Sequence, residues 1–189
     1  MSQAGRNDVW SAMKACTRCA LAAGRTQVVI GSGPARAEVM LIGEAPGRDE
    51  DLQGVPFVGA SGRMVEKLLN ANGFERADVY ITNIVACRPP ANRAPKPKEI
   101  LAHSPWLEEQ IRQVRPKVIM TLGRIALVYF FPGSKITEVR GQVQLVMRGK
   151  REISLLPTLH PAATMRRREL FPALEADFGR LRAVLEAAR

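Results

Sequence analysis

The stretch "EVMLIGEAPGRDEDLQGVPFVGASG", residues 38–62, decides the expected fold. It starts with an apolar run that ends in glycine, which is typical of a buried strand. Residues 44–60 are rich in glycine, proline and acidic side chains, and they predict a long loop that does more than connect two elements. Ser61 then caps a predicted helix over residues 62–72, which Gly73 ends.

The rest of the chain continues this alternation of strands and helices. Further strands are predicted at 78–85, 117–123, 143–147 and 153–161, and further helices from Pro97, over 123–131 and over 168–188. Strands that alternate with helices predict one domain over residues 1–189, a three-layer α/β/α sandwich with a mainly parallel central sheet. Ligands bind at the carboxyl ends of such strands, so we expect the loops after residues 43, 83 and 160 to form one shared site.

The charge of the chain favours a polyanionic partner. Lys and Arg number 28 against 18 Asp and Glu, a formal net charge of +10. Nucleic acid is one such partner, because neutralised phosphates release condensed counterions, and a solvated basic surface is the alternative. The sequence has neither an apolar signal segment nor an apolar run of the roughly 20 residues that span a bilayer. We therefore expect a cytoplasmic protein with no membrane partner and with reduced thiols.

Three cysteines and one histidine form a candidate metal-binding set. Cys16 and Cys19 form a C-x-x-C pattern, Cys87 follows the strand predicted at 78–85, and His103 lies in the helical stretch "EILAHSPWLEEQI". Three thiolates with one imidazole suit a tetrahedral zinc ion. They also suit a [4Fe–4S] cluster, which is normally held by four cysteines. Spacing alone leaves open a third interpretation, in which the thiols are unligated and the histidine lies at the surface.

Several long segments carry a family resemblance. The segments are "CTRCALAAGRTQVVIGSG" (16–33), "LIGEAPGRDEDLQGVPFVGASGRM" (41–64), "VYITNIVACRPPANRAPKPKEI" (79–100), "VIMTLGRIA" (118–126) and "LLPTLHPAA" (155–163). With these segments in this order and spacing, the chain resembles the family 4 uracil-DNA glycosylases, the iron–sulfur branch of the uracil-DNA glycosylase superfamily, over residues 10–185.

The resemblance implies a structural [4Fe–4S] cluster. Three of the family's four cysteine ligands match Cys16, Cys19 and Cys87, and the fourth position holds His103. We expect His103 to bind the cluster through a ring nitrogen, with zinc as the alternative metal. Because an imidazole lacks the charge of a thiolate, this ligand is expected to raise the reduction potential of the cluster.

The resemblance also implies a site for a flipped uracil around "GEAPG", residues 43–47. Gly43 and Ala45 belong to a turn whose backbone N–H groups approach the base closely. Ala45 falls where other branches of the superfamily carry a catalytic aspartate, so another acid must orient the attacking water. Glu44 and Glu50 are the candidates, and the alternative for both is that they hold the loop together.

Three further residues complete the implied site. Phe57 matches the residue on which the base stacks. Asn83, at the end of a strand, is expected to pair with O4 and N3–H of uracil. His160 is expected to donate a hydrogen bond to O2 as the uracil anion leaves. The corresponding alternatives are a core phenylalanine, a loop-capping asparagine and a structural histidine.

Arginines are expected to contact the DNA backbone. Arg88 and Arg93 lie in the proline-rich loop, and Arg166 and Arg167 follow His160. Arginine–phosphate contacts position a strand without reading its sequence. Each of these residues is otherwise an ordinary solvated charge.

The function implied is that of a monofunctional uracil-DNA glycosylase in base excision repair. A monomer would flip uracil out of single- or double-stranded DNA and hydrolyse its N-glycosidic bond, leaving an abasic site. One alternative is covalent capture of uracil-DNA by a related branch, but no histidine-bearing basic insertion lies between Cys87 and His103. A second alternative is a glycosylase that prefers mismatches or hypoxanthine, although Asn83 favours uracil. A third is a non-catalytic iron–sulfur protein that binds uracil-DNA.

Overall fold

A five-stranded sheet forms the centre of this computed structural model, which describes residues 3–188 and the side chains of residues 9–188. The strand order is β2-β1-β3-β5-β4, and all neighbouring pairs are parallel except β4 with β5. The strands are β1 Val39–Gly43, β2 Val79–Asn83, β3 Val118–Leu122, β4 Gln144–Arg148 and β5 Arg151–Thr158.

Burial explains why these segments form strands. Every residue of β1, β2 and β3 is buried, as expected for parallel strands that are covered on both faces. The edge strand β4 has one buried residue, Val146, which packs against the core. The mainly parallel sheet is therefore confirmed, with an antiparallel strand at one edge.

Helices cover both faces of the sheet. One apolar layer includes Leu107, Ile111 and Ala126, and the opposite layer includes Val65 and Phe178. This arrangement confirms the α/β/α sandwich. The helices are α1 Gln3–Lys14, α2 Arg48–Gln53, α3 Ala60–Ala71, α4 Pro97–Val114, α5 Arg124–Phe130, α6 Ile136–Val139, α7 Pro161–Arg166, α8 Phe171–Gly179 and α9 Leu181–Ala187, with 3-10 turns at Ala20–Ala23, Arg76–Asp78, Pro90–Asn92 and Arg168–Leu170.

Three local predictions are wrong. The segment 44–60 contains a short helix, α2, rather than loop throughout. Helix α3 begins at Ala60 with Gly59 as its N-cap, so Ser61 lies inside the helix and does not cap it. The predicted helix 168–188 is divided into a 3-10 turn, α8 and α9. Pro172 favours the first turn of a helix, and Gly179 is a poor helix former that ends α8, which explains the two interruptions.

None of the helices between residues 3 and 188 is long and apolar enough to cross a membrane. The cytoplasmic location expected from the sequence stays a prediction.

Candidate active site

A cleft of about 660 Å³ opens at the carboxyl ends of β1, β2 and β5. The loops that follow these three strands meet there, as the sequence predicted. Eight of the predicted site residues line the cleft, namely Glu44, Ala45, Glu50, Phe57, Asn83, Arg93, His160 and Arg166.

Gly43, the last residue of β1, allows two of these side chains to approach its backbone. A Cβ atom at this position would lie 2.5 Å from Asn83 Oδ1 and 2.5 Å from Phe57 Cζ. Real Cβ atoms do not make contacts this short, so a larger residue would displace both side chains. Because Gly43 has no side chain, Asn83 and Phe57 can pack directly against its backbone at the floor of the cleft.

Asn83, the last residue of β2, presents an unsatisfied hydrogen-bonding group. The residue is 4% exposed, and its Oδ1 is buried without a hydrogen-bond partner among the described residues. Buried polar atoms almost always have partners, because leaving one unpaired costs about 1–3 kcal/mol. A ligand with an N–H group can supply the missing hydrogen bond.

Phe57 is held in an unusual backbone conformation at the side of the cleft. Its φ of 55° is in the left-handed region, which costs a bulky residue about 1–3 kcal/mol. Arg76 stabilises this turn by donating hydrogen bonds to the carbonyls of Phe57 and Pro56, at 3.1 and 2.5 Å. The Phe57 ring lies 6.2 Å from the His160 ring, with 35° between their planes. The two rings therefore face a common space.

His160 is poised as a neutral hydrogen-bond donor. It is the N-cap of α7, and its Nδ1 accepts a hydrogen bond of 3.1 Å from the backbone N–H of Ala162. A nitrogen that accepts a hydrogen bond carries no proton, so the proton of the neutral ring lies on Nε2. Burial, helped by the positive charge of Arg166, lowers the pKa of His160 to about 4. The imidazole is thus uncharged at neutral pH.

Glu44 directly follows β1 and is partly buried in the wall of the cleft. Burial raises the pKa of its carboxyl, and the positive charge of Arg124 opposes this shift. A carboxylate with a raised pKa is a better proton acceptor than an exposed one. Glu44 therefore has the chemistry of a group that can orient and deprotonate water.

Glu50 is engaged in holding the loop around the cleft. Its Oε2 accepts a hydrogen bond from the backbone N–H of Gly47, and its Oε1 accepts from those of Val58 and Gly59. These contacts join the start of α2 to the start of α3. They match the loop-holding alternative, and a role for Glu50 in orienting water stays a prediction.

The four predicted DNA-contacting arginines differ in their surroundings. Arg166 is exposed and lines the cleft. Arg93 also lines it, but its guanidinium forms a bidentate ion pair with Glu99, at 2.6 and 2.8 Å. Arg88 donates to Asn92 Oδ1 at 2.7 Å, and Arg167 pairs with Glu169 at 2.8 Å. Contact with DNA stays a prediction for all four, and the contacts with Glu99 and Glu169 compete with it at Arg93 and Arg167.

The predicted metal ligands converge on one place. His103, buried in α4, has its Nε2 atom 3.4 Å from Cys87 Sγ and its Nδ1 atom 3.9 Å from Cys19 Sγ. His103 Nδ1 lies 2.9 Å from the carbonyl oxygen of Glu99, which can only accept, so Nδ1 carries the proton and Nε2 has a free lone pair. A backbone carbonyl often fixes a metal-binding histidine in this tautomer.

Two further side chains donate hydrogen bonds to the sulfur atoms of these cysteines. Trp106 Nε1 lies 3.3 Å from Cys16 Sγ, and Arg25 Nη1 lies 3.3 Å from Cys87 Sγ. Burial, together with the neighbouring Cys19 and Cys16, raises the pKa of the Cys87 thiol, while Arg25 opposes the shift. N–H groups directed at sulfur stabilise thiolates. Burial thus favours the neutral thiol at Cys87, while Arg25 and Trp106 supply N–H groups that would stabilise thiolates if a cation were bound.

Comparisons with known proteins identify the family. A model of the uracil-DNA glycosylase superfamily matches residues 30–183. The chain belongs to this superfamily. Type-4 uracil-DNA glycosylases of Sulfurisphaera tokodaii and Thermotoga maritima are each 44% identical to it, over 88% and 82% of this chain and 79% and 81% of their own. The type-4 enzyme of Archaeoglobus fulgidus is 39% identical over 93% of this chain and 90% of its own.

Several residues that build the site of this uracil-DNA glycosylase superfamily member were not predicted from the sequence. Gly123 lies beside His160, Arg124 lies near Glu44, and Arg76 holds Phe57. Arg48 is exposed at the cleft. The glycine at the end of the strand in "TLGRIA" was a signal of close backbone approach, whereas Arg76 and Arg124 act on residues distant in sequence.

Proposed function

We propose that the protein excises uracil from DNA by hydrolysing the N-glycosidic bond, leaving an abasic site for base excision repair. The single observation that carries this proposal is the buried, unpartnered Oδ1 of Asn83 in a cleft that also contains Phe57 and His160. Membership of the uracil-DNA glycosylase superfamily supports it.

Base recognition is assigned to Asn83 and Phe57. The flipped uracil stacks on the ring of Phe57 and offers its N3–H to Asn83 Oδ1. The carboxamide NH₂ of Asn83 then donates to O4. Cytosine has an acceptor at N3 and an amino group at position 4, so it mismatches the amide in this orientation.

Bond cleavage is assigned to His160. When the bond between uracil N1 and sugar C1′ breaks, its electron pair leaves with the base and negative charge develops on O2. A neutral imidazole that donates Nε2–H stabilises this charge without becoming charged itself. The tautomer set by the Ala162 N–H provides that donor at neutral pH.

Water addition is assigned to Glu44. The departure of uracil leaves a sugar cation at C1′, which a water molecule attacks. Glu44 orients this water and accepts its proton, and the hydroxyl remains on C1′. The raised pKa of Glu44 suits this role, and Glu50 positions the loop that carries both acids.

We further propose that Cys16, Cys19, Cys87 and His103 hold a [4Fe–4S] cluster. Within residues 9–188, no three ligand-type side chains are grouped for a single metal ion. The ligands of a [4Fe–4S] cluster bind separate iron atoms and need not meet at one point, so this grouping is compatible with a cluster, and the resemblance to the iron–sulfur branch is the reason to propose it before zinc. Such a cluster contributes structure by tying the N-terminal segment to α4. Iron, sulfide and zinc analysis of purified protein distinguishes the two.

DNA binding is assigned to the basic rim of the cleft. Arg48 and Arg166 are exposed there, and within the described residues neither guanidinium has a hydrogen-bond or ion-pair partner. Both can therefore contact phosphates without breaking an existing contact. We propose that the protein acts on single- or double-stranded DNA as a monomer.

A turnover assay tests the proposal against covalent capture and non-catalytic binding. Labelled single-stranded DNA with one uracil is incubated with a substoichiometric amount of protein and analysed with and without alkali. Alkali-dependent cleavage beyond one turnover is expected. A protein–DNA band that survives denaturation would indicate covalent capture, and intact DNA would indicate binding alone.

A further inference from the structure

A second cleft lies at the amino-terminal ends of the parallel strands, opposite the active-site cleft, and is strongly basic. It has a volume of about 650 Å³, in the usual range for ligand sites. Four of its cations, here called the basic pocket, are Arg36, Arg115, Lys150 and Arg151. They come from the loop before β1, the end of α4 and the hairpin between β4 and β5.

The topology separates this pocket from the active site. Arg36, Arg115 and Arg151 precede or begin parallel strands, so they gather at the amino edge of the sheet. The uracil-binding cleft lies at the carboxyl edge. A five-residue strand such as β1 spans roughly 16 Å, so the two sites do not share a ligand group.

The acidic side chains of this second cleft are already engaged. Glu108 accepts a hydrogen bond from Tyr129 and pairs with Arg148 at 3.1 Å. Glu109 forms a bidentate contact with Arg112. No carboxylate among the side chains of residues 9–188 pairs with any of the four basic-pocket residues. With respect to the described part of the chain, their charges are therefore available to a ligand.

Three of these cations, Arg36, Arg115 and Arg151, are also held close together. Arg151 Nη2 donates to the carbonyl oxygens of Arg115 and Pro116, at 3.0 and 3.4 Å, which brings its guanidinium to the end of α4. Burial together with the positive charges of Arg115 and Arg36 lowers the pKa of Arg151. Like charges that are assembled without a counter-charge repel one another, and an anion would relieve this repulsion.

We infer that the basic pocket binds a phosphate group. A guanidinium presents several N–H donors that match phosphate oxygens, and only Nη2 of Arg151 is used in the contacts above. More than two cations around one cavity favour a multiply charged anion over a carboxylate. The phosphate comes either from a polynucleotide backbone that extends outside the active site or from a free phosphate compound.

Charge reversal tests the pocket. The variants are Arg36→Glu and Lys150→Glu, both at exposed positions, and the matched control is Lys67→Glu, exposed on α3. Pyrophosphate binding is measured by calorimetry, and binding of a uracil-free 30-residue single-stranded DNA by fluorescence anisotropy. We expect each pocket variant to weaken at least one probe by roughly 10-fold, because a lost and reversed charge acts directly on the anion.

The two probes distinguish the source of the phosphate. Loss of DNA binding alone identifies a polynucleotide backbone, and loss of pyrophosphate binding identifies a free phosphate compound. If both pocket variants bind both probes as Lys67→Glu does, the inference is overturned. Neither measurement depends on excision, so the outcome is independent of the proposed glycosylase activity.

Discussion

Gly123 and His160 lie so close together that a Cβ atom on Gly123 would come within 2.8 Å of His160 Cβ. Gly123 caps the start of α5 with a φ of 93°, a conformation that disfavours other residues. The end of β3 therefore sets how far the His160 side chain enters the cleft. Gly123 takes no part in the chemistry, but it positions His160, the proposed hydrogen-bond donor to uracil.

Gly123→Ala is expected to impair excision by displacing His160. Gly133→Ala is the matched control, because Gly133 has a similar φ of 85° but nothing within 4 Å of an added Cβ. Both variants carry a backbone cost, and Gly123→Ala adds the steric clash with His160, so it is expected to melt at the lower temperature and the rates are compared where both variants are folded. Only Gly123→Ala is expected to lose excision, by roughly 10-fold or more in single-turnover assays. Equal rates in the two variants would contradict a positioning role for Gly123.

Asn83→Asp is expected to reduce discrimination between uracil and cytosine. A carboxylate cannot donate to O4, and its charge repels that oxygen. The loss is expected to be roughly 10- to 100-fold in uracil excision, the effect of one mispaired buried polar group. Excision of uracil and of cytosine from otherwise identical oligonucleotides measures the ratio. A ratio unchanged from that of the parent protein would remove Asn83 from base recognition.

The pH dependence of excision is expected to follow the deprotonation of Glu44 and not that of His160. His160, with its pKa near 4 instead of 6.5, stays neutral throughout the neutral range, so its donor is unaffected there. The Glu44 carboxyl has a raised pKa, and its proton must be lost before it can accept one from water. The rate should therefore rise with pH through the Glu44 pKa, and this rise should be absent in Glu44→Gln, which cannot lose a proton. Single-turnover rates of the two proteins check it, and a step centred near 6.5 that persists in Glu44→Gln would contradict the assignment of a neutral His160.

His103→Cys is expected to retain the proposed iron–sulfur cluster at least as well as the parent protein, because it supplies a thiolate where the resemblance expects one. The matched control is Ser104→Cys, which adds a thiol at the next position of α4. Visible absorption and iron content, followed during exposure to air, measure retention. Replacing a bound imidazole by a bound thiolate changes the visible spectrum, so His103→Cys is expected to alter it and Ser104→Cys is not; an unaltered spectrum in both variants would show that His103 is not a ligand.

The sequence predicted the fold and the location of the cleft because both follow from local patterns. Buried apolar runs that end in glycine or asparagine mark β1 and β2, and parallel strands bring their carboxyl ends together. The roles within the cleft were harder to assign. Glu50 and Glu44 look alike in the sequence, and only the three backbone N–H groups around Glu50 distinguish a loop-holding carboxylate from a free one.

The roles of residues whose partners lie elsewhere in the sequence could not be predicted from the sequence. Arg93 seemed free to meet DNA, but Glu99 binds it, and the low pKa of Glu99, about 2, results mainly from that hydrogen-bonded pair. Arg76 holds Phe57 from 19 positions away. The broken C-terminal helix was also missed, since Gly179 and Pro172 count little against a long apolar periodicity.

The most direct measurement compares the parent protein with His160→Ala in single-turnover excision of uracil, alongside the affinity of each for the same DNA. Thermal melting first confirms that the variant is folded, since it loses the cap of α7. We predict a rate lower by roughly 100- to 1,000-fold, the usual effect of removing one transition-state donor, with DNA affinity unchanged. An unchanged rate would contradict the assignment of His160 as the group that stabilises the departing uracil.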